Sequence, residues 1–104
     1  MDHLLPGVDA LVELEHKTIV EKWGEGYHSD HEGYAVMKEE IEEAQDELEI
    51  VKAWLDVVWD HIRDNKPVTI NHIETCGRIA GRLAAEAVQI AAVARRWRGG
   101  LQGE

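Results

Sequence analysis

The chain predicts an all-α fold: a bundle of three main helices around a long central one, completed by self-association. Three observations lead there. Apolar residues recur in steps of three and four over most of the chain. No stretch alternates apolar and polar residues for long enough to make a strand. One glycine-rich break and one proline-containing break divide the chain into three periodic stretches.

The first stretch follows a lead-in, residues 1–7, that closes on Leu5-Pro6-Gly7. Its row Val8, Leu11, Val12, Glu15, Ile19 predicts a helix over about 8–22. Glu15 interrupts the row. It reads as a boundary position whose head extends to water, with a supporting acid behind a metal site as the alternative. Gly24 and Gly26 end this helix, and Ser29 with Glu32 three residues on reads as a capping box.

The second helix is expected over about 30–63, stopped by Asp64-Asn65-Lys66-Pro67. Its seam runs Tyr34, Met37, Ile41, Ala44, Leu48, Val51, Leu55, Val58, Ile62 and should pack against other helices. At 1.5 Å per residue such a helix spans ~45 Å. A compact domain of 100 residues has a radius of gyration of only ~13 Å, so a dimer or tetramer is expected to cover it. For the third helix, about 72–98, Asn71 with Glu74 supplies the cap. Its seam is Ile73, Cys76, Ala80, Leu83, Ala87, Ile90, Ala94, Trp97. A second row of small residues, Gly77, Gly81, Ala84, Val88, Ala91, permits close helix approach. Residues 99–104 read as a frayed tail.

At 104 residues the chain holds one domain. A net charge of −10 argues against nucleic acid and against anionic membrane surfaces as partners, and suits a protein that collects divalent cations. The single cysteine, Cys76, excludes an internal disulfide and fits a reducing cytoplasm. It sits in the third seam as a small apolar residue. No apolar run approaches a membrane span and no signal-like segment leads the chain, so a soluble cytoplasmic protein is expected.

The chemistry concentrates beside the seams. A second row on the central helix reads Val36, Glu40, Glu43, Glu47, Ile50, Trp54, Val57, in which three carboxylates stand in line with apolar residues. Inward acids are costly unless a positive charge meets them. Glu40 and Glu43 are three apart and share a face, and Glu39 reaches toward the same space from the side. On the third helix the row Ile79, Arg82, Glu86, Gln89, Val93, Arg96 also holds an acid and an amide oxygen between apolar neighbours. If the two helices pack antiparallel, Glu40, Glu43, Glu86 and Gln89 offer oxygens to a hard cation such as Mg²⁺, with Mn²⁺ as an alternative. The competing reading of Glu39 to Glu49 is a solvated helix face.

Glu39-Glu40-x-x-Glu43, with Glu86-Ala-Val-Gln89 later, resembles the MazG-like, all-α nucleoside triphosphate pyrophosphohydrolases. His31-Glu32-Gly33-Tyr34-Ala35-Val36 and Gln89-Ile90-Ala91-Ala92-Val93-Ala94-Arg95-Arg96 are similar to the short, single-domain bacteriophage and bacterial members. The resemblance covers about residues 13–98. It implies Mg²⁺-dependent hydrolysis of a nucleoside triphosphate to the monophosphate and pyrophosphate, a nucleotide-pool housecleaning activity. Glu40, Glu43 and Glu86 would then be metal ligands, with Glu39 a ligand or the water-activating base. Two departures stand out. Gln89 occupies the position of the family's Asp, which leaves Glu47 or Asp46 to compensate for the lost charge. The spacer between the motifs is also longer than usual.

Among cations, Lys22, Lys38, Arg82, Arg95 and Arg96 are candidates for phosphate contact. Arg95 and Arg96 also suit a helix C-terminus, and Arg82 can pair with Glu86. Trp23, beside the loop glycines, is placed to stack on a base. Trp54 reads as core, and Trp59 and Trp97 as core or subunit contacts. His28, His31 and Glu32 lack a second cluster of matching spacing, although His61 and His72 are present, so zinc is not expected. The alternative to an enzyme is a non-catalytic helical oligomer or partner-binding protein with the same fold.

Overall fold

A computed structural model describes residues 2–101. A short 3₁₀ turn, Asp2–Leu4, leads into α1 (Leu5–Trp23), followed by α2 (Asp30–Arg63) and α3 (Ile70–Gly100), with no strand among the described residues. The fold is an all-α helical bundle. No helix among the described residues is long and apolar enough to cross a membrane.

Two of the three helix starts, those of α1 and α3, differ from expectation for local reasons. Pro6 sits in the first turn of α1, where its missing N–H is no loss, so Leu5-Pro6-Gly7 belong to the helix. Ser29 caps α2 by accepting from the Glu32 N–H at 3.2 Å, while the Glu32 carboxylate accepts from the His28 N–H. Thr69, not Asn71, caps α3. Its hydroxyl accepts from the His72 N–H, and its own N–H donates to His72 Nδ1, which closes the box with an imidazole instead of a carboxylate. Gly99 and Gly100 remain helical, so of the expected tail only Leu101, the C-cap, is non-helical among the described residues; residues 102–104 lie outside them.

α3 is the spine. α2 packs antiparallel along its length and α1 packs parallel against its C-terminal half, while no Cα of α1 comes within 8 Å of one in α2. The α1–α2 loop is tied to the end of α3 by the Gly26 N–H, which donates to the Arg96 carbonyl at 3.0 Å. Gly26 has φ +75° and its Cα lies against Gly100, so a side chain there would meet both left-handed strain and backbone. Gly33 leaves room for the Trp97 indole, whose N–H donates to Asp30 at 2.9 Å.

The core is small: Val12, Val58, Ile79, Ala92 and Val93. The long dimension is 59 Å and the radius of gyration 17.9 Å, well above the ~13 Å of a compact domain this size. Only half of the α2 seam packs within the chain. Met37, Ala44 and Val51 are half-buried and Val58 is buried, beside the flank that carries Gly33, Glu40, Glu47 and Trp54, whereas Tyr34, Ile41, Leu48, Leu55 and Ile62 are exposed. The α3 contact likewise runs along Ile79, Glu86, Gln89 and Val93, the row that carries the polar window. In α1, Val12 is buried while Val8 and Leu11 are exposed, because α1 meets α3 along one narrow edge. Trp54, expected in the core, is half-buried beside His72 and lies outside the buried set, and Trp59 is 56% exposed.

Candidate metal centre

Antiparallel packing of α2 on α3 brings one carboxylate oxygen each from Glu40, Glu43 and Glu86 within 4.8 Å of one another. Glu40 and Glu43 come from adjacent turns of α2, and Glu86 faces them from α3. The i, i+3 spacing is what puts the first two on one side of the groove. Neither Glu40 nor Glu86 is fully exposed, and Glu86 Oε2 is shut off from solvent without a hydrogen-bond partner.

Electrostatics record the same crowding. The Glu40 carboxyl is held above its ordinary range, first by burial and then by the charges of Glu43, Glu86, Glu39 and Glu15. Glu43 is more exposed, yet it shifts the same way, first through desolvation and then through the charges of Glu86 and Asp46. Both shifts combine desolvation with neighbouring negative charge, each of which disfavours the ionised carboxylate.

A second layer lies behind these acids. Gln89 does not join the converging carboxylates: its amide Nε2 donates to Glu15 Oε2 on α1. Glu15 therefore does not extend to water as expected, and is a half-buried partner of Gln89 on the α1 side of the cluster. The signal was available, since Glu15 interrupts an apolar row just as Glu40 and Glu43 do. Glu47 does not join the cluster either. Its side chain is 12% exposed and pairs with Arg82 at 2.8 Å, while its Oε2 is shut in without a partner. Arg82 is thus bound to Glu47, not to Glu86. Glu39 is exposed and acts on Glu40 through its charge.

The expected substrate contacts are spread out. Lys38 lies on the far side of α2 from Glu40, about 200° away for two residues at ~100° each; it stands 4.0 Å from Glu42 and lines an apolar groove with Tyr34 and Ile41. Trp23 is 64% exposed at the end of α1, with the Lys22 ammonium 5.2 Å from its ring centre. Arg96 closes the loop: its Nε donates to the Gly24 carbonyl at 3.0 Å and its guanidinium lies 4.2 Å over the Tyr27 ring. Trp23, Tyr27, Glu32 and Arg96 line one cleft of about 160 Å³. Tyr27 was not anticipated. Burial raises its hydroxyl pKa against the opposing pull of Arg96, and the charges of Glu32 and Glu40 add to the rise, so the cleft lies within electrostatic reach of the acids.

His28 and His31 gather no further ligands, and the cation-type cluster among the described residues is the glutamate triad. Comparisons with protein-family models, with curated proteins and with solved structures found no match.

Proposed function

We propose that the chain is a Mg²⁺-dependent nucleoside triphosphate pyrophosphohydrolase of MazG-like type, with Mn²⁺ as a substitute ion. One observation carries this reading: Glu40, Glu43 and Glu86 converge in a groove, and none of them forms an ion pair with a cation among the described residues. The donor set fits a hard ion. Octahedral Mg²⁺ at ~2.1 Å holds ligand oxygens about 3–4.2 Å apart, so a spread of up to 4.8 Å closes with small side-chain rotations. The shut-in oxygen of Glu86 supplies a lone pair that nothing else uses.

Glu40, Glu43 and Glu86 would hold the ion, which supplies the Lewis acidity that phosphoanhydride hydrolysis needs. Glu15 and Gln89 fix the α1 edge of the groove, so Gln89 serves as a positioning residue in place of a charged ligand. Glu39, outside the converging set, is the group free to take a proton from the attacking water. The Trp23–Tyr27–Arg96 cleft receives the nucleoside. A cytoplasmic location accords with the lone thiol and the nucleotide substrate, and a homodimer or homotetramer with the apolar surface that α2 leaves exposed.

The non-catalytic helical assembly remains the second reading, and one observation favours it: Lys38, Arg82 and Arg96 are each drawn to other partners. The test is pyrophosphate release from each deoxynucleoside triphosphate with Mg²⁺, for the native chain and for Glu43→Gln. Release abolished by the substitution supports the hydrolase. Absence of release from every nucleotide, with melting unchanged by Mg²⁺, leaves the assembly.

A further inference from the structure

We infer that the bare face of the α2–α3 hairpin is an interface with a second copy of this chain, in which α2 of each copy lies on α3 of the other. This deepens the self-association proposed above, and it does not depend on the hydrolase reading.

The face is built from two heptad rows. On α2, Tyr34, Ile41, Leu48, Leu55 and Ile62 are spaced by seven, and all are 40–62% exposed. On α3, Ile73, Ala80, Ala87 and Ala94 are also spaced by seven and exposed. Each row points roughly 100° to one side of its own helix's contact with the other, at ~100° per residue. Because the helices are antiparallel, both rows emerge on the same side of the hairpin. α1 and Glu43 occupy the opposite side.

The occupant follows from shape, charge and area. The pairings Gly33–Trp97 and Glu47–Arg82 fix the register of the hairpin. That register sets Tyr34 level with Ala94, Ile41 with Ala87, Leu48 with Ala80 and Leu55 with Ile73. A second copy turned about a dyad parallel to the helices sets the large α2 row of each chain on the small α3 row of the other. Bulky side chains then enter gaps left by alanines, and four antiparallel neighbours form a bundle. Turning the partner end over end would instead stack large on large and small on small.

Neither row contains a carboxylate, nor do the positions between them, in a chain with 21 acidic residues and a charge of −10. This is therefore the face on which two such chains approach with least repulsion. From Tyr34 to Ile62 it is roughly 42 Å long and two helices wide, or about 700–800 Å² per copy, close to the ~800 Å² per partner of a stable interface.

Sedimentation equilibrium of the full chain tests this. The native protein should sediment at about twice the 11.8 kDa of one chain. Leu48→Glu should sediment as a helical monomer by circular dichroism. Ala87→Trp, which adds bulk at a position exposed in the single chain, should also dissociate the dimer. In a Cys76→Ala background, Leu48→Cys with Ala80→Cys should form an intermolecular disulfide, and Leu48→Cys alone should not. A native monomer overturns the proposal. So does a dimer that survives Leu48→Glu and Ala87→Trp, or efficient cross-linking of Leu48→Cys to itself. Pyrophosphate release from the same preparations separates failure of the interface from failure of the hydrolase reading.

Discussion

The two sides of the α2–α3 hairpin use the same helices to opposite ends. One side carries α1, the glutamate triad, and the acid and amide behind it. The other carries no carboxylate along its apolar rows, and none of the described residues covers it. Both sides depart from the usual rule that apolar residues face in and charges face out. Acids point into a groove on one, and leucine-class side chains point to water on the other. Each departure is costly in the isolated chain: crowded charge on the first and unburied apolar area on the second. An added cation relieves one, an added chain relieves the other, and the two repairs are separable.

The sharpest way to break that contrast is Glu86→Gln. Loss of partners behind a metal ligand typically costs 10–100-fold in affinity or activity, so loss of a ligand should cost about 100-fold or more in turnover and in Mg²⁺ affinity by calorimetry. Without the ion the sign should reverse. Removing one of three crowded carboxylates relieves repulsion, so metal-free Glu86→Gln should melt at or above the native temperature. A variant that melts markedly lower would mean that Glu86 is stabilised by contacts within the chain.

The pH dependence of the metal-free chain is the next effect. Glu40 binds its proton more tightly folded than unfolded, because burial and neighbouring acids raise its pKa, and Glu43 behaves likewise. Between the ordinary carboxylate range and those raised values the folded state holds more protons. Stability contributed by these groups therefore falls as pH climbs through that window and stays low above it. Mg²⁺ should restore it near neutral pH, by about 1.4 kcal/mol at a tenfold excess over its dissociation constant. For a chain this size that is a rise of several degrees in Tm, roughly 5–10 °C. Urea titrations at pH 4.5 and 7, with and without Mg²⁺, measure it. A chain equally stable at both pH values, and indifferent to the ion, would contradict a charge-crowded groove.

Gly26→Ala acts on what makes the two sides unequal. The loop through Gly26 holds α1 against the end of α3, with φ +75° and a would-be Cβ 2.7 Å from the Gly100 Cα. Left-handed strain and the backbone clash together should cost about 2 kcal/mol. By displacing α1 the substitution should also weaken the Glu15–Gln89 contact, and with it Mg²⁺ affinity. Denaturant unfolding reads the first effect and calorimetry the second.

The three helices were legible in the sequence, as were their order and the breaks near residues 24–29 and 64–69, because periodicity and turn residues act locally. So was the convergence of Glu40, Glu43 and Glu86, since acids inside apolar rows mark their own direction, although Glu43 itself stays exposed. Which of two adjacent rows meets the neighbouring helix was not legible. On α2 the outer half of the seam, Tyr34, Ile41, Leu48, Leu55 and Ile62, lost to the flank carrying Glu40 and Glu47, and only packing across the chain decides that. Side-chain partners were equally hidden: Arg82 lies four residues from Glu86 in sequence yet pairs with Glu47 on another helix. His72 completed a cap that was expected of Glu74, because an imidazole nitrogen can accept from a backbone N–H as a carboxylate does.

Lys38 gives the smallest expected effect, and it tests whether the two sides are independent. Motif position places it beside the acids, since it precedes Glu39 and Glu40 directly. Helix geometry places it on the far flank, 60% exposed and 4.0 Å from Glu42. An exposed pair of that kind contributes ~0.3–0.5 kcal/mol, so Lys38→Ala should leave stability within about 0.5 kcal/mol. It should leave kcat/KM for the best nucleotide within about twofold, because a long side chain cannot reach across the helix it grows from. A tenfold loss would mean that substrate reaches the outer flank of α2. In a paired assembly that happens if Lys38 of one copy serves the groove of the other, and the site side and the interface side would then be a single functional surface.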